Sequence, residues 1–280
     1  MKMLNQNAII VVPWHNEHQL EKFNSAWNVT AKEDAELVLF FEDKCKLGCA
    51  ETKNQGVDYA VKEYNADIVV ILDDDCYPVK ASDLLNRGMA GVSHHQLAGS
   101  LTEFAAKHVA RLEERAAVEI FSHITTPKSR GTPIMQRTAA FPVAASIGFW
   151  LGMSDYSAVD ELSAGKQPMK FDSRPMFNRH FAMSGMNIAF KPKEWLPWCS
   201  FIDVPRYDDI WMGLLWQKEA YRRGYCFSFD GPLVNHAKQS NPFKNLIEEA
   251  KYLEANETVW RKIFESKHTE YDELRKLLPC

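Results

Sequence analysis

The sequence predicts an α/β fold: a mostly parallel central sheet with helices on both faces. Three observations predict it. Short apolar runs alternate with amphipathic segments of helical period through the first third of the chain. The runs are apolar throughout rather than at every second position, which marks strands buried on both faces. Their ends carry polar clusters, HNE at 15–17, EDK at 42–44 and DDD at 73–75. In sheets of this kind ligands bind beyond the carboxyl ends of the strands, so the three clusters define one candidate site.

In chain order, Ala8 to Val12 is a strand ended by Pro13, Glu17 to Trp27 a helix, and Glu36 to Phe41 a second strand. Asn54 to Tyr64 is a second helix and Asp67 to Leu72 a third strand, completing βαβαβ. No GxGxxG follows the first strand, which excludes an ordinary dinucleotide fingerprint. Leu101 to Ile124 reads as a charged helix, 125–133 (TTPKSRGTP) as a breaker-rich loop, and 141–153 (FPVAASIGFWLGM) as an apolar segment with small residues. Asp208 to Arg223 is expected to be helical, Tyr225 to Phe229 a strand, and Pro242–Asn256 and Glu257–Leu278 closing helices. The expected organisation is one domain over 1–280 with a C-terminal helical extension from about 242.

Composition narrows the class. Lys and Arg total 33 against 37 Asp and Glu, a formal charge of -4, and no basic run stands out. A dedicated nucleic-acid clamp needs a concentrated basic face, so nucleic acid stays open only as the bearer of an acceptor base. The six cysteines show no disulfide framework, and the CKLGC pair, Cys45 and Cys49, would need two further ligands to hold zinc. With no leader pattern and no apolar run of membrane-spanning length, a cytoplasmic chain with free thiols and no membrane contact is expected. A homo-oligomer is left open.

The collision in DIVVILDDDCYP at 67–78 carries the chemistry, because five apolar residues run into three carboxylates. If the extended conformation persists past Leu72, Asp73 and Asp75 project to one side and Asp74 to the other. Two carboxylates on one side suit Mg²⁺ or Mn²⁺, with positions left for phosphate oxygens. The alternative is a solvated acidic turn. In VVPWHNE, Asn16 and Glu17, with Asp43 after the second strand, either bind uracil or ribose or simply cap the following helix. Asp208 and Asp209 in RYDDIW either cap their helix or serve the reaction as orienting, proton-accepting or charge-stabilising groups. His236 is either structural or a ligand completing the DDD metal site, and Lys238 is placed to neutralise diphosphate. Trp14, Trp150 and Trp211 either stack on base or sugar or pack in the core.

These pieces together resemble the reversibly glycosylated polypeptides, the family containing plant UDP-arabinopyranose mutases. The resemblance runs through DDDC at 73–76, RG.P at 130–133, WL and DY.A at 150–158, SGMNIAF at 184–190, RYDDIW at 206–211 and H.K.SNPF.NL at 236–246. It implies a GT-A-like, Rossmann-like fold, a Mn²⁺ or Mg²⁺ ion held by Asp73, Asp75 and His236, and a UDP-sugar as substrate. It further implies nucleotide contacts from Pro13, Asn16, Glu17, Asp43, Asn54, Asp73, Asp74 and Lys238, and sugar contacts from Trp150, Gly185, Met186 and Asn187. Arg137 stands where the family attaches a sugar reversibly, with Asp208 and Asp209 assisting. A guanidinium stays protonated and is a poor nucleophile, so loss of UDP would have to be well advanced.

The expected function is interconversion of UDP-arabinopyranose and UDP-arabinofuranose. Two alternatives stand beside it: a glycosyltransferase passing sugar to a separate glycan, protein or modified-base acceptor, and a non-catalytic partner subunit that binds UDP-sugar without turnover.

Overall fold

The computed structural model describes residues 7–29, 37–44, 48–80, 82, 84, 96–119, 138–152, 157–164, 175–237 and 241–279. Among them the strands are β1 (Ala8–Trp14), β2 (Val38–Glu42), β3 (Ile68–Leu72), β4 (Cys76–Pro78), β5 (Arg115–Glu119), β6 (Thr138–Gly152), β7 (Asn187–Phe190) and β8 (Cys226–His236). The helices are α1 (Glu17–Trp27), α2 (Cys49–Tyr64), α3 (Leu101–Glu113), α4 (Ala158–Ala164), α5 (Pro192–Trp195), α6 (Asp208–Arg222), α7 (Pro242–Ala250), α8 (Leu253–Glu265) and α9 (Tyr271–Arg275).

The sheet runs β2-β1-β3-β7-β6-β8-β4, with β5 added against the start of β6. Pairs β1/β2, β1/β3 and β6/β8 are parallel, whereas β7 is antiparallel to both its neighbours and β4 antiparallel to β8. The sheet is therefore mixed, with a mostly parallel body. Side chains of a strand alternate between faces, and here both faces are apolar: Ile9, Val11, Val69 and Ile71 pack with α2 and α6, whereas Ile10, Val12, Val70 and Leu72 pack with α1 and α3. Each such fully buried side chain contributes roughly 1.5–3 kcal/mol. The continuous apolar runs of the sequence have this two-sided burial as their cause.

Three expectations change. The charged helix stops at Glu113, and 115–119 pair with β6 as a strand, with Ala116 and Val118 turned inward and Arg115 and Ala117 outward. A helical charge pattern masked a two-residue period. Strand β8 continues past Phe229 to His236, because Asp230-Gly231-Pro232 forms no turn but a bulged passage against β6. The C-terminal segment makes three helices, and Val259, Ile263, Leu274 and Leu278 enter the same apolar cluster as Trp211 and Trp216.

The long β6/β8 pair brings His236 into register with Gly152 on one side and Cys76 on the other, beside the DDD turn. Where the two strands cross most closely, Gly148 faces Gly231, and a Cβ on Gly148 would lie 2.1 Å from the Pro232 carbonyl and 2.3 Å from Asn187 Nδ2. Gly148→Ala is therefore expected to cost about 2–3 kcal/mol through overpacking. Urea unfolding tests this: the midpoint should fall at constant m-value. An unchanged midpoint would mean the strands part freely at this point.

Candidate active site

Strand β3 is buried along its whole length and delivers Asp73 to its carboxyl end. The chain then turns at once, the Cys76 N–H donating to the Asp73 carbonyl at 3.0 Å. The extended geometry expected to put Asp73 and Asp75 on one side thus ends at Leu72. Helix α1 holds the turn from behind: Gln19 Nε2 donates to the Asp74 carbonyl at 3.0 Å and to the Tyr77 hydroxyl, and Trp27 Nε1 donates to the Cys76 carbonyl at 2.9 Å.

Each acid has a different electrostatic setting. Asp73 is paired with Lys53 of α2, whose Nζ lies 2.8 Å from Oδ1 and 3.1 Å from Oδ2. Burial pushes the Asp73 carboxyl up, Lys53 pulls it down in part, Asp75 pushes it up again, and the net shift is upward. Lys53 is itself 4% exposed. Burial alone would lower an ammonium's pKa, yet Asp73 and the further charge of Asp208 hold it well above its ordinary value. The same Nζ donates to the Gly185 carbonyl at 3.2 Å and sits 5.1 Å above the Phe201 ring. Asp74 is raised to about 7 by burial and by its two acidic neighbours, and its Oδ2 is buried with no hydrogen-bond partner among the described residues. Asp75 Oδ2 lies 3.2 Å from Nε2 of His236, which is 6% exposed. Burial pushes Asp75 up, but the hydrogen bond and charge of His236 outweigh it and the carboxyl stays below its ordinary value.

The SGMN segment ties this turn to the RYDD helix. The Met186 carbonyl accepts from the Asp73 N–H at 3.0 Å, and the Gly185 N–H donates to Asp209 Oδ2 at 2.8 Å. Gly185 is required by packing, since a Cβ there would stand 2.4 Å from the Phe201 ring and 3.1 Å from the Asp209 Cβ. Asp208 and Asp209 form the first turn of α6, where carboxylates also suit the helix dipole.

Other expected site residues fall into place differently. Asn16 caps α1, accepting from the His18 and Gln19 N–H groups, and Glu17 is exposed in the first turn. Pro13 lies within β1, paired with Phe41, rather than after it. Asn54 spends both ends of its amide on the Phe201 backbone, at 2.9 and 2.8 Å, and so anchors the loop over Lys53. Asn187 is 1% exposed, its Nδ2 donating to the Pro232 carbonyl at 2.9 Å and its Oδ1 lying 2.9 Å from His108 Nε2. It supports the site from below and presents no side chain to a ligand. Trp211 is a core residue bonded to Asn256, whereas Trp14 and Trp150 are partly exposed. Trp14 and Asp43 line a cavity of about 520 Å³ with Phe41, Thr52, Gln55 and Tyr59, beyond the ends of β1 and β2. Arg137, Lys238 and Cys45 lie outside the described residues.

Lys53 and Gln19 were not singled out from the sequence. A lysine in TKNQG and a glutamine in EHQL look like ordinary solvent-facing helix residues, and only the buried side of each helix reveals them. Among the described residues no three His, Cys, Asp or Glu side chains are already gathered as a metal site. The donor types nevertheless suit a hard divalent ion: carboxylate oxygens beside one imidazole, with a buried Asp74 oxygen unpartnered.

An α/β protein with an acidic centre at the sheet's carboxyl edge is the class these features define. The family model for reversibly glycosylated polypeptide matches residues 3–269, and the chain belongs to that family. Relatives include "Probable UDP-arabinopyranose mutase 4" of Arabidopsis thaliana, 26% identical over 68% of this chain and 52% of the relative. "UDP-arabinopyranose mutase 3" of Arabidopsis thaliana is 26% identical over 65% of this chain and 50% of the relative. "Probable UDP-arabinopyranose mutase 1" of Solanum tuberosum is 32% identical over 43% of this chain and 35% of the relative. The chain thus spans about half, or less, of the length of the curated relatives it matches. No helix among the described residues is long and apolar enough to cross a membrane.

The floor of the site supplies a pH test. Because Asn187 uses its Nδ2 on backbone carbonyls, its Oδ1 must accept from His108 Nε2–H, leaving His108 Nδ1 to accept from Ser146 Oγ at 2.9 Å. Burial lowers the His108 pKa from 6.5 to about 4. Between those values the unfolded chain binds more protons than the folded one, so this histidine's contribution to stability falls as pH drops from about 6.5 to about 4, then levels off. The loss should approach about 3 kcal/mol. Urea midpoints at pH 7 and 4.5 for the wild type and His108→Gln test this, and the variant should lose less stability on acidification. Equal losses would refute a neutral, buried His108.

Proposed function

We propose that this protein is a UDP-sugar enzyme with a GT-A-like catalytic core, interconverting UDP-arabinopyranose and UDP-arabinofuranose. The observation that carries this is the direct bonding of the family's separated motifs: Asp73 to Met186, Lys53 to both Asp73 and Gly185, Gly185 to Asp209, and Asp75 to His236. Five stretches distant in sequence, four of them the family's motifs and the fifth Lys53, converge at one sheet edge, where ligands of such sheets bind. The mutase names of the relatives supply the substrate.

In this reading the cavity at Trp14 and Asp43 receives the uridine. Asp73, Asp75 and His236 would hold Mn²⁺ or Mg²⁺, and the bound ion supplies positive charge to the departing diphosphate. Arg137, from the family resemblance, would carry the pentose while UDP is detached, and Lys238 would face the diphosphate. Asp209, fixed by the Gly185 N–H, orients the sugar, and Asp208 beside it takes a proton. Trp150, which is partly exposed, borders the sugar, whereas Gly185 and Met186 are buried and shape the site through their backbone rather than touching the sugar as expected.

The test is chromatography of the purified chain with UDP-arabinopyranose and Mn²⁺, following furanose product and free UDP. Wild type should form furanose with no net UDP release. Asp75→Asn and Arg137→Ala should each lower the rate by about 10² or more, as expected for groups acting on the transition state. UDP release without furanose, persisting in Arg137→Ala and lost in Asp75→Asn, would replace the mutase reading with transfer to a separate acceptor. UDP-sugar binding without turnover would leave a non-catalytic partner subunit.

A further inference from the structure

Lys53 is a buried cation in the middle of a site built from acids, and neither the proton-transfer roles nor the sugar contacts account for it. Asp73, Asp74, Asp75, Asp208 and Asp209 gather around one lysine and one imidazole. A divalent ion would meet an acidic centre already partly neutralised, and the neutralisation is uneven. Both Asp73 oxygens lie within 3.1 Å of Lys53 Nζ, whereas Asp75 is paired through one oxygen with His236, whose imidazole is a ligand type for divalent ions. A lysine ammonium is donor only and cannot coordinate a metal. Its position is fixed from three sides: Asp73, the Gly185 carbonyl at 3.2 Å, and the Phe201 ring, which Asn54 pins through the loop backbone.

Resting on the cation reading given above but narrowing its ligand set, we propose that Lys53 is a positioning residue that withholds Asp73 from the metal, leaving Asp75 and His236 as the side-chain ligands. Asp73 then serves as one half of a buried ion pair that shapes the turn, and its backbone N–H fixes Met186. Removing the lysine frees a carboxylate at the edge of the cation site and deletes a repelling charge. Affinity for the metal should therefore rise while organisation of the site is lost. A purely structural lysine predicts the opposite: loosening the turn would lower metal affinity along with everything else.

The experiment measures Mn²⁺ binding to the full chain by calorimetry and by loss of the free Mn²⁺ electron paramagnetic resonance signal. The wild type is compared with Lys53→Met, Lys53→Arg, Lys53→Met/Asp73→Asn and Asp75→Asn, thermal unfolding confirming that each folds. Lys53→Met should bind Mn²⁺ on the order of tenfold more tightly, as expected for removal of a nearby unit charge. Lys53→Arg should restore the wild-type affinity. The double variant, which deletes the pair as a neutral unit, should stay within about threefold of wild type, and Asp75→Asn should lose at least about thirtyfold, as for loss of a ligand. Weaker or unchanged binding by Lys53→Met, or a double variant as impaired as Asp75→Asn, would overturn the proposal while the cation reading stood. Absence of Mn²⁺ binding by the wild type would overturn both.

Discussion

Three consecutive carboxylates at the end of a fully buried strand must be compensated, and most of the site is built around that requirement. An unpaired charge at such a position is costly, and like charges side by side add to the cost. The protein answers each acid separately. Lys53 takes Asp73, His236 takes Asp75, and Asp74 is left with its affinity for a proton raised to about 7. Each partner arrives on a different element, α2 for the lysine and the end of β8 for the histidine. The sheet order and the long β6/β8 pairing follow the same need, since only an extended β8 reaches the turn.

A second, partly buried ion pair fixes the other side of the site. Arg206, in a left-handed conformation at φ 69° just before α6, donates from Nε and Nη2 to Glu249 Oε1 at 3.0 and 2.8 Å. The other oxygen of Glu249 accepts from the Ala158 N–H at 2.7 Å, so one carboxylate joins α4, α6 and α7. Losing one member of such a pair typically costs about 3–5 kcal/mol, because the remaining charge stays buried. This explains why α7 turns polar Asn245 and Glu249 inward while Phe243 and Ile247 face out. The orientation of that helix is set by Glu249, not by its apolar stripe, and the start of α6, with Asp208 and Asp209, is held by the same bond.

The βαβαβ start was legible because buried parallel strands leave an uninterrupted apolar signature: α1 falls on Glu17–Trp27 as its periodicity requires, and β3 on Ile68–Leu72. Less legible were elements whose local pattern served two ends. Arg115–Glu119 carries charges that continue the helical rhythm of α3, and only pairing with β6 makes it a strand. Asp230-Gly231-Pro232 lies past the strand's expected end at Phe229, and the glycine is there for close approach to Gly148. Within the site, DDD, SGMN and RYDD were visible as motifs, and the structure joins them by direct bonds. Lys53 was invisible because its role depends on which side of α2 faces Asp73, 20 positions further along the chain. Asn187 shows the converse, a motif residue whose amide is consumed by the scaffold.

The joining bonds have a consequence for how the acids act together. A single peptide unit runs from the Ser184 carbonyl to the Gly185 N–H, which points at Asp209, while the next carbonyl, that of Gly185, points at Lys53. The N–H and carbonyl of Gly185 belong to neighbouring peptide groups, so one residue of backbone fixes the distance between Asp209 and Lys53. Asp209 therefore senses the Lys53–Asp73 pair through one residue of backbone, and any shift of Asp73 is carried by its own N–H to Met186, the next residue along. Asp73 and Asp209 are thereby held in one register. With Gly185 wedged against Phe201 and Asp209 by the absence of a Cβ, that register has little room to slip. The proposed reaction, which would detach a diphosphate at one end of the cluster and reposition a sugar at the other, would need this rigidity, because both groups would have to stay within bonding reach until they rejoin.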